Sequence, residues 1–239
     1  MCGIIGYIGN KRAIPILING LKKLEYRGYD SAGIAVCCEG RIEVTKTKGR
    51  LSLLEKKLEN VNLDCRIGIG HTRWATHGEP NDINSHPHLS NSGKIAVVHN
   101  GIIENYINLR NFLKSKGNIF ISDTDTEIVA HLVEYHYHGD IKSAVMEALK
   151  QLEGSYALGV LCNDSPDTII AARKGSPLIC GIGESENFIA SDIPAILNHT
   201  RDIYILEDGE VAEIRKDSIS ITDIYGLKAE KKYFMWIGI

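Results

Sequence analysis

Hydrophobic residues along the chain recur with two spacings, one typical of helices and one typical of strands. Ile14, Leu17, Ile18, Leu21 and Leu24 lie three or four positions apart, which predicts an amphipathic helix. Similar spacings predict four more helices, over residues 51–58, 104–116, 124–135 and 140–153. The helix over 124–135 begins with Thr124-Asp125-Thr126-Glu127, a sequence typical of a capping box.

Short apolar runs bounded by turn residues predict the strands. Two runs, 31–38 and 41–47, predict a hairpin that turns at Glu39-Gly40, and 203–206 and 211–214 predict a second one that turns at Asp208-Gly209. Further strands are predicted over residues 3–8, 65–70, 94–99, 156–162, 168–172, 178–182 and 187–190. Because the helices come in pairs and the strands in hairpins, the pattern favours an α+β fold of antiparallel sheets covered by helical layers.

The composition changes this picture little, but it excludes several classes of protein. The 239 residues include 27 Lys+Arg and 30 Asp+Glu without a basic cluster, which argues against nucleic-acid binding. Neither a secretory signal nor an apolar run long enough to span a membrane is present. The six cysteines lack zinc-site spacing, so no structural metal is predicted, and Cys37, Cys38, Cys162 and Cys180 are interpreted as buried apolar residues. We expect a cytoplasmic, reduced protein.

Cys2 is the first candidate for catalysis. Removal of Met1 would leave this residue with both a thiol and a free α-amine, whose usual pKa of about 7.7–8.0 suits a general base. The amine could then accept the proton of the thiol as the thiol attacks a carbonyl. Met-Cys alone favours the simpler interpretation, in which the cysteine merely follows the initiator.

Three downstream segments shift the balance toward catalysis. Arg73 lies in a dense polar segment after a strand and suits a carboxylate, and Asn100-Gly101 could form an oxyanion hole. A carboxylate within residues 122–127 could receive an ammonium group. Taken singly, each has a structural alternative: a surface arginine beside a core tryptophan, an Asn-Gly turn and a helix N-cap. Together they suit a zwitterionic amino acid whose side-chain carbonyl meets Cys2.

Several strings in the sequence resemble the class II glutamine amidotransferase domain. These are residues 2–4 (CGI), 26–33 (YRGYDSAG), 73–80 (RWATHGEP), 98–101 (VHNG) and 122–127 (SDTDTE), with 172–178 and 186–192 downstream. The strings at 26–33 and 72–78 (TRWATHG) resemble the glutaminase half of the glucosamine-6-phosphate synthases in particular. The likeness covers nearly the whole chain. It implies a glutaminase domain over residues 2–223, followed by a tail or truncated linker over 224–239.

The resemblance implies the four-layer αββα sandwich of the N-terminal nucleophile hydrolases and a mechanism without a cofactor or metal. Cys2 would attack the side-chain amide of L-glutamine, with its own α-amine as the base. Asn100 and the Gly101 amide would hold the oxyanion, and water would hydrolyse the thioester to glutamate. Arg73 would bind the α-carboxylate of glutamine, and Asp125 its α-ammonium. The remaining implied pocket residues are Thr76 and His77, with Trp74 in a closing loop and Arg27 near the nucleophile's terminus.

The same resemblance implies a partner for the released ammonia. In amino-sugar biosynthesis it would pass to a sugar-isomerase half that binds fructose 6-phosphate, through which any homodimer would also form. This half does not follow in the sequence, which leaves a truncated product, an excised domain and a standalone subunit as alternatives. The chain could also be an amidotransferase domain that serves a different acceptor, such as phosphoribosyl pyrophosphate, or a catalytically silent glutamine-binding regulatory module.

Overall fold

Two antiparallel sheets form the centre of the molecule. The computed structural model of the chain describes residues 2–75 and 78–238, and within them the sheets pack face to face. Sheet A has eight strands, in the spatial order β14 (Phe234–Met235), β11 (Asp202–Ile205), β9 (Ile179–Ile182), β10 (Glu186–Ala190), β1 (Gly3–Gly9), β4 (Ile67–Arg73), β2 (Ser31–Cys38) and β3 (Arg41–Lys48). Sheet B has six, in the order β13 (Ser218–Asp223), β12 (Glu210–Arg215), β8 (Ile169–Lys174), β7 (Gly154–Cys162), β6 (Ile95–Ile103) and β5 (His88–Leu89).

Helices cover the outer face of each sheet. The five described α-helices are α1 (Ala13–Lys23), α2 (Leu51–Leu58), α3 (Tyr106–Ser115), α4 (Thr126–His136) and α5 (Ile141–Leu149). The first two share an apolar core with sheet A, and the other three share one with sheet B. A third core lies between the sheets. The order helix, sheet, sheet, helix confirms the predicted α+β fold with four αββα layers.

The apolar residues of strand β1 form a continuous run and do not alternate with polar ones. Ile4 and Ile8 point into the core between the sheets, whereas Ile5 and Tyr7 point outward to the helices. All seven residues of the strand are buried, because both faces of sheet A are covered there. No described helix is long and apolar enough to cross a membrane.

The predicted hairpin over 203–206 and 211–214 is wrong. Strand β11 pairs with β9 and β14 in sheet A, whereas β12 pairs with β8 and β13 in sheet B. Asp208-Gly209 does turn the chain, and Gly209 has a φ of +84°, but the turn carries the chain from one sheet to the other. A turn signal fixes the local reversal of the chain and does not choose the partner of the next strand.

The interpretation of Cys38 as a buried free cysteine is also wrong. Cys38 is half-exposed and forms a disulfide with Cys65, across a Cα–Cα distance of 5.0 Å. Strand pairing brings the two residues close together, since Cys37 lies opposite Ile67 and Cys38 is therefore level with Arg66, the neighbour of Cys65. Cys37, Cys162 and Cys180 are buried free thiols, as the sequence predicts.

Candidate active site

A cavity of about 440 Å³ lies at one end of the sandwich, where β1 and β7 begin and β4 and β6 end. It is lined by seven residues that the sequence analysis singled out, which are Cys2, Arg27, Arg73, Trp74, Asn100, Gly101 and Asp125. Both sheets and the start of α4 contribute to this set. Thr76 and His77, the other two predicted pocket residues, lie outside the described residues.

Cys2 is half-buried directly before β1, beside the end of β4. Its Sγ accepts a hydrogen bond from Trp74 N at 3.1 Å, and the thiol donates a longer one, of 3.6 Å, to Trp74 O. Burial raises the pKa of the Cys2 thiol, while the Trp74 N–H and the charge of Arg73 lower it. Because burial is the largest of these effects, the resting group is a thiol and needs a base before it can attack.

Asn100 and Gly101 are part of strand β6 and do not form a turn, so the Asn-Gly turn alternative is wrong. They pair with Ala157 and Tyr156 of β7. Gly101 has a φ of +131°, and a Cβ there would lie 2.1 Å from the backbone oxygen of Ser155. Only glycine fits this backbone. Asn100 Nδ2 donates to Cys2 O at 3.3 Å, so the amide group faces Cys2.

The burial of Arg73 and Trp74 contradicts the alternative in which the arginine is a surface charge and the tryptophan a core residue. Arg73 is only 4% exposed and is therefore no surface charge, whereas Trp74 is 55% exposed and is no core residue. The guanidinium donates from Nη2 to Gly78 O at 3.1 Å. Burial lowers the pKa of Arg73, and the charges of Asp30, Cys2 and Asp125 raise it. The cavity therefore holds a cation within electrostatic reach of the thiol and of two carboxylates.

Asp125 precedes α4 but its side chain does not cap the helix. Its Oδ2 accepts a hydrogen bond from Ile103 N of β6 at 2.8 Å, which ties the carboxylate to sheet B. Half of the predicted capping box forms, because Thr124 Oγ1 accepts from Glu127 N at 3.4 Å. The Glu127 carboxylate accepts instead from the backbone N–H groups of Ile121 and Ser122. The Asp125 carboxylate therefore lies at the cavity and does not cap the helix.

Arg27 contacts Ser191 and Asp192, which directly follow β10, the strand that pairs with β1. Its Nη1 donates to Ser191 O at 3.4 Å and lies 3.5 Å from Asp192 Oδ2. Ser191 in turn exchanges hydrogen bonds with Ile4, since its Oγ accepts from Ile4 N and its N–H donates to Ile4 O, both at 3.0 Å. Arg27 therefore bears on the position of Cys2 through β1.

Sequence reasoning assigned no catalytic role to a group of buried histidines at the cavity, of which His86 and His99 line it. His71, His86, His88 and His99 are at most 5% exposed, and the rings of His71 and His86 stack at 4.1 Å. Burial lowers the pKa of His71 to about 3 and lowers that of the other three, so all four are neutral near pH 7. The signal for His71 was its place two residues before Arg73, which puts both on one face of β4.

Other lining residues come from neighbouring elements. Thr126 Oγ1 contacts His99 Nδ1 at 2.9 Å, and Ser155 is the second residue of β7, beside Gly101. Ser176 and Pro177 lie between β8 and β9, in a string that the sequence analysis used only for the resemblance. Within residues 2–75 and 78–238, no three His, Cys, Asp or Glu side chains are grouped so as to hold a metal ion.

Comparison with known proteins identifies the family. The family model described as "Glutamine amidotransferase domain" matches residues 71–198, which is more than half of the chain. The chain belongs to this family. The matched residues include the end of β4, all of β6 and the start of α4, and hence Arg73, Asn100, Gly101 and Asp125.

Curated relatives narrow the similarity within the amidotransferase family. The chain is 62% identical over 234 residues to the glutamine–fructose-6-phosphate aminotransferase (isomerizing) of Caldanaerobacter subterraneus, and 58% identical to that of Clostridium tetani. The matches cover 98% of this chain but only 38% of each relative. The amidotransferase domain thus spans less than two fifths of the length of these relatives.

A solved structure shares the fold of this amidotransferase domain. The glutamine phosphoribosylpyrophosphate (PRPP) amidotransferase from B. subtilis, complexed with ADP and GMP, superposes with a TM-score of 0.80. That superposition covers 93% of this chain and 49% of the other at 27% identity. The fold is the N-terminal nucleophile hydrolase type that the sequence resemblance implies.

Proposed function

We propose that this amidotransferase domain hydrolyses the side-chain amide of glutamine through a thioester on Cys2, and that the ammonia serves to aminate fructose 6-phosphate. The observation that carries the proposal is the meeting of Cys2, from sheet A, with the Asn100 amide, from sheet B, in one cavity. A nucleophile and an oxyanion donor are the two groups that acyl transfer requires.

The α-amine of Cys2, set free by removal of Met1, supplies the base. Both described hydrogen bonds of the thiol go to the backbone of Trp74, so no described side chain contacts it as a base. The amine lies on the same residue and takes the proton when Sγ bonds to the amide carbon of glutamine. As the C–N bond breaks, this proton passes to the leaving nitrogen, which departs as ammonia. Water then adds to the thioester, the S–C bond breaks and glutamate leaves.

The negative oxygen that forms in each step is held by Asn100 Nδ2 and by the backbone N–H of Gly101. These donors sit in a ladder-paired strand, so they are already oriented before the substrate arrives. A preorganised donor of this kind contributes about 3–4 kcal/mol to an acyl-transfer barrier. Gly101 gives that backbone a conformation that another residue would resist.

The two ends of glutamine are recognised by opposite charges. Arg73 binds the α-carboxylate with its planar guanidinium, and Asp125 binds the α-ammonium. The cavity volume of about 440 Å³ suits an amino acid with room for water. Trp74 is exposed at the rim and follows Arg73, which suits a loop that closes over the substrate. Arg27 positions the terminus through the segment that pairs with Ile4.

The acceptor is inferred from the relatives. Those with 62% and 58% identity carry the name of a fructose-6-phosphate aminotransferase, whereas the structure named for phosphoribosyl pyrophosphate is only 27% identical. This chain covers 38% of the first relative, and the rest of that relative's length would hold the sugar-isomerase half that uses the ammonia. Residues 2–223 form the glutaminase domain in this proposal, and 224–239 lead toward that half in a cytoplasmic enzyme.

The experiment measures glutamate release from glutamine, with Met1 removal confirmed by intact mass. Cys2→Ala is assayed beside the wild type, and binding of glutamine is followed by calorimetry in both. Turnover that disappears in Cys2→Ala supports the glutaminase. Binding without turnover in correctly processed protein would contradict it and favour a silent glutamine-binding module. Ammonia transfer to fructose 6-phosphate and to phosphoribosyl pyrophosphate, each with its acceptor half, then tests the acceptor.

A further inference from the structure

His71 lies at the contact between the two sheets, directly behind the proposed oxyanion hole. It belongs to β4 of sheet A, where it pairs with Ile4 and Gly33. Its Nε2 reaches across to sheet B and lies 2.9 Å from two oxygens, His99 O and Asn100 Oδ1. The side chain is completely buried. A single ring nitrogen thus joins the strand beside the nucleophile to the strand of the oxyanion donors.

The chemistry of these contacts fixes the tautomer of His71. A backbone carbonyl can only accept, so Nε2 must carry the hydrogen that it donates to His99 O. The ring is neutral, because burial lowers its pKa to about 3. Nδ1 is then a bare acceptor, and among the described residues it has no hydrogen-bond partner.

The tautomer in turn fixes the orientation of the Asn100 amide. An N–H donor at Nε2 requires an acceptor opposite, so the amide must present Oδ1 to His71. Nδ2 then points the other way, toward Cys2, where it donates to the backbone oxygen at 3.3 Å. In the flipped orientation two N–H groups would face each other behind the site. The amide oxygen would also face the negative charge that forms on the substrate.

We propose that His71 is a positioning residue for the glutaminase, which acts through Asn100 by holding its amide with Nδ2 toward the nucleophile. The inference rests on the proposed function of the site. His71 itself does not line the described cavity and need not touch the substrate. Without it, the Asn100 side chain keeps its place but loses the shorter of the two contacts that select its orientation, the other being the 3.3 Å hydrogen bond from Nδ2 to Cys2 O.

The experiment compares His71→Leu, which removes the donor, with His71→Gln, whose amide nitrogen can replace Nε2–H. We expect His71→Leu to lower kcat about 10- to 100-fold with KM changed less than threefold, below the ceiling of about 100- to 1000-fold for loss of one oxyanion donor. His71→Gln should recover most of kcat. The double variant His71→Leu/Asn100→Ala should be no slower than Asn100→Ala alone, since both changes remove the same interaction.

Two chemical probes separate an effect on the oxyanion from an effect on the thiol. L-Glutamate γ-semialdehyde adds to a thiol and forms an oxyanion, so its affinity should fall in His71→Leu by about the same factor as kcat/KM. Iodoacetamide alkylates Cys2 without an oxyanion, and its rate should stay within twofold of wild type. A loss of alkylation equal to the loss of kcat would overturn the proposal.

A matched control is available in the same molecule. His131 on α4 is also buried, and its Nδ1 contacts Asn118 Oδ1 at 2.9 Å, away from the cavity. His131→Leu should lower the melting temperature but leave kcat of the folded protein within twofold. Equal losses of kcat in His131→Leu and His71→Leu, or a wild-type kcat in His71→Leu, would overturn the proposal. Wild-type protein without Cys2-dependent turnover would instead contradict the proposed function.

Discussion

The two sheets contribute to the cavity in different ways. Sheet A supplies groups at the ends of its strands, since Cys2 precedes β1 and Arg73 ends β4. Sheet B supplies groups from within a strand, because Asn100 and Gly101 are paired with β7 on one side of β6. The proposed nucleophile and the proposed carboxylate-binding group therefore lie at ends of strands, whereas the proposed oxyanion donors lie in a paired strand.

This difference predicts which changes affect activity alone and which also affect stability. The Cys2 side chain is only half-buried before the start of β1, so its loss should cost mainly catalysis. A residue within β6 holds two buried cores together, so its loss should cost both. Substitutions in the two sheets can therefore test whether activity and stability respond differently.

The largest expected effect is that of Cys2→Ala. Removal of the nucleophile should lower kcat by at least about 10⁴-fold, or more than 5 kcal/mol. Because Cys2 is half-buried and the described hydrogen bonds of its thiol go only to the Trp74 backbone, the melting temperature should change by less than about 2 °C. Glutamate release and calorimetric melting measure the two quantities. A large drop in melting temperature would contradict the expectation that the loss of Cys2 affects catalysis and not stability.

Asn100→Ala should combine both kinds of loss. We expect kcat to fall about 100- to 1000-fold, with KM within threefold, because one oxyanion donor is missing. The His71 Nε2–H also loses one of its two acceptors, at a cost of about 1–3 kcal/mol in the free energy of unfolding if the donor is left poorly paired. Steady-state kinetics and urea unfolding test this. Unchanged stability would show that β6 is no more sensitive than the strand ends.

Gly101→Ala tests the backbone of β6. The positive φ and the 2.1 Å approach of a Cβ to Ser155 O should lower the free energy of unfolding by about 2–4 kcal/mol. Gly93→Ala is the matched control, because Gly93 also has a positive φ, of +77°, but no atom lies within 4 Å of its Cβ position. It should cost only about 1 kcal/mol. Equal losses in the two variants would contradict the role of the close contact.

Arg73→Lys should act on substrate binding. A lysine keeps the charge but cannot bind a carboxylate through two parallel hydrogen bonds, so KM should rise about 10- to 30-fold with kcat within threefold. Glutamine amide, which lacks the α-carboxylate, should be turned over equally by both proteins. A KM that rises as much for this analogue would show that the change disturbs the cavity rather than the carboxylate contact.

The sequence locates the chemistry of both sheets better than the way in which they meet. Cys2, Arg73, Asn100 and Asp125 were found because strings of residues around them are distinctive. Their gathering into one cavity is a property of the fold, which the helix and strand spacings predict only as layers. The alternatives for Asn100-Gly101 show the limit, because Asn-Gly usually marks a turn, and only pairing with β7 makes it part of a strand.

Contacts between the two sheets could not be predicted from the sequence, for a physical reason. His71 and Asn100 are 29 positions apart and belong to different sheets, so no local spacing connects them. The same reason explains the false hairpin at Asp208-Gly209, where the turn was found but the partner strands were not. Patterns along the chain report which face a residue lies on and leave open what lies across from it.

The pH dependence of stability tests the buried histidines between and beside the sheets. Burial lowers the pKa of His71 from the usual 6.5 to about 3, so between these values the unfolded chain binds more protons than the folded one. Stability from this group is therefore complete above pH 6.5 and declines as the pH falls toward 3, by about 1.4 kcal/mol per pH unit for each such histidine. His86, His88 and His99 should act in the same direction, since burial lowers their pKa values as well.

The contribution of His71 to the pH dependence of stability can be measured by comparing the wild type with a variant at this position. Glu127, whose pKa is lowered to about 2 from 4.5, affects stability only below about pH 4.5, so the window from pH 6 to 5 reports chiefly on histidines. In urea titrations across this window, His71→Gln should reduce the slope of stability against pH by about 1.4 kcal/mol per unit, because glutamine binds no proton. An unchanged slope in His71→Gln would mean that His71 is not a neutral, buried donor, and the orientation of the Asn100 amide would lose its physical basis.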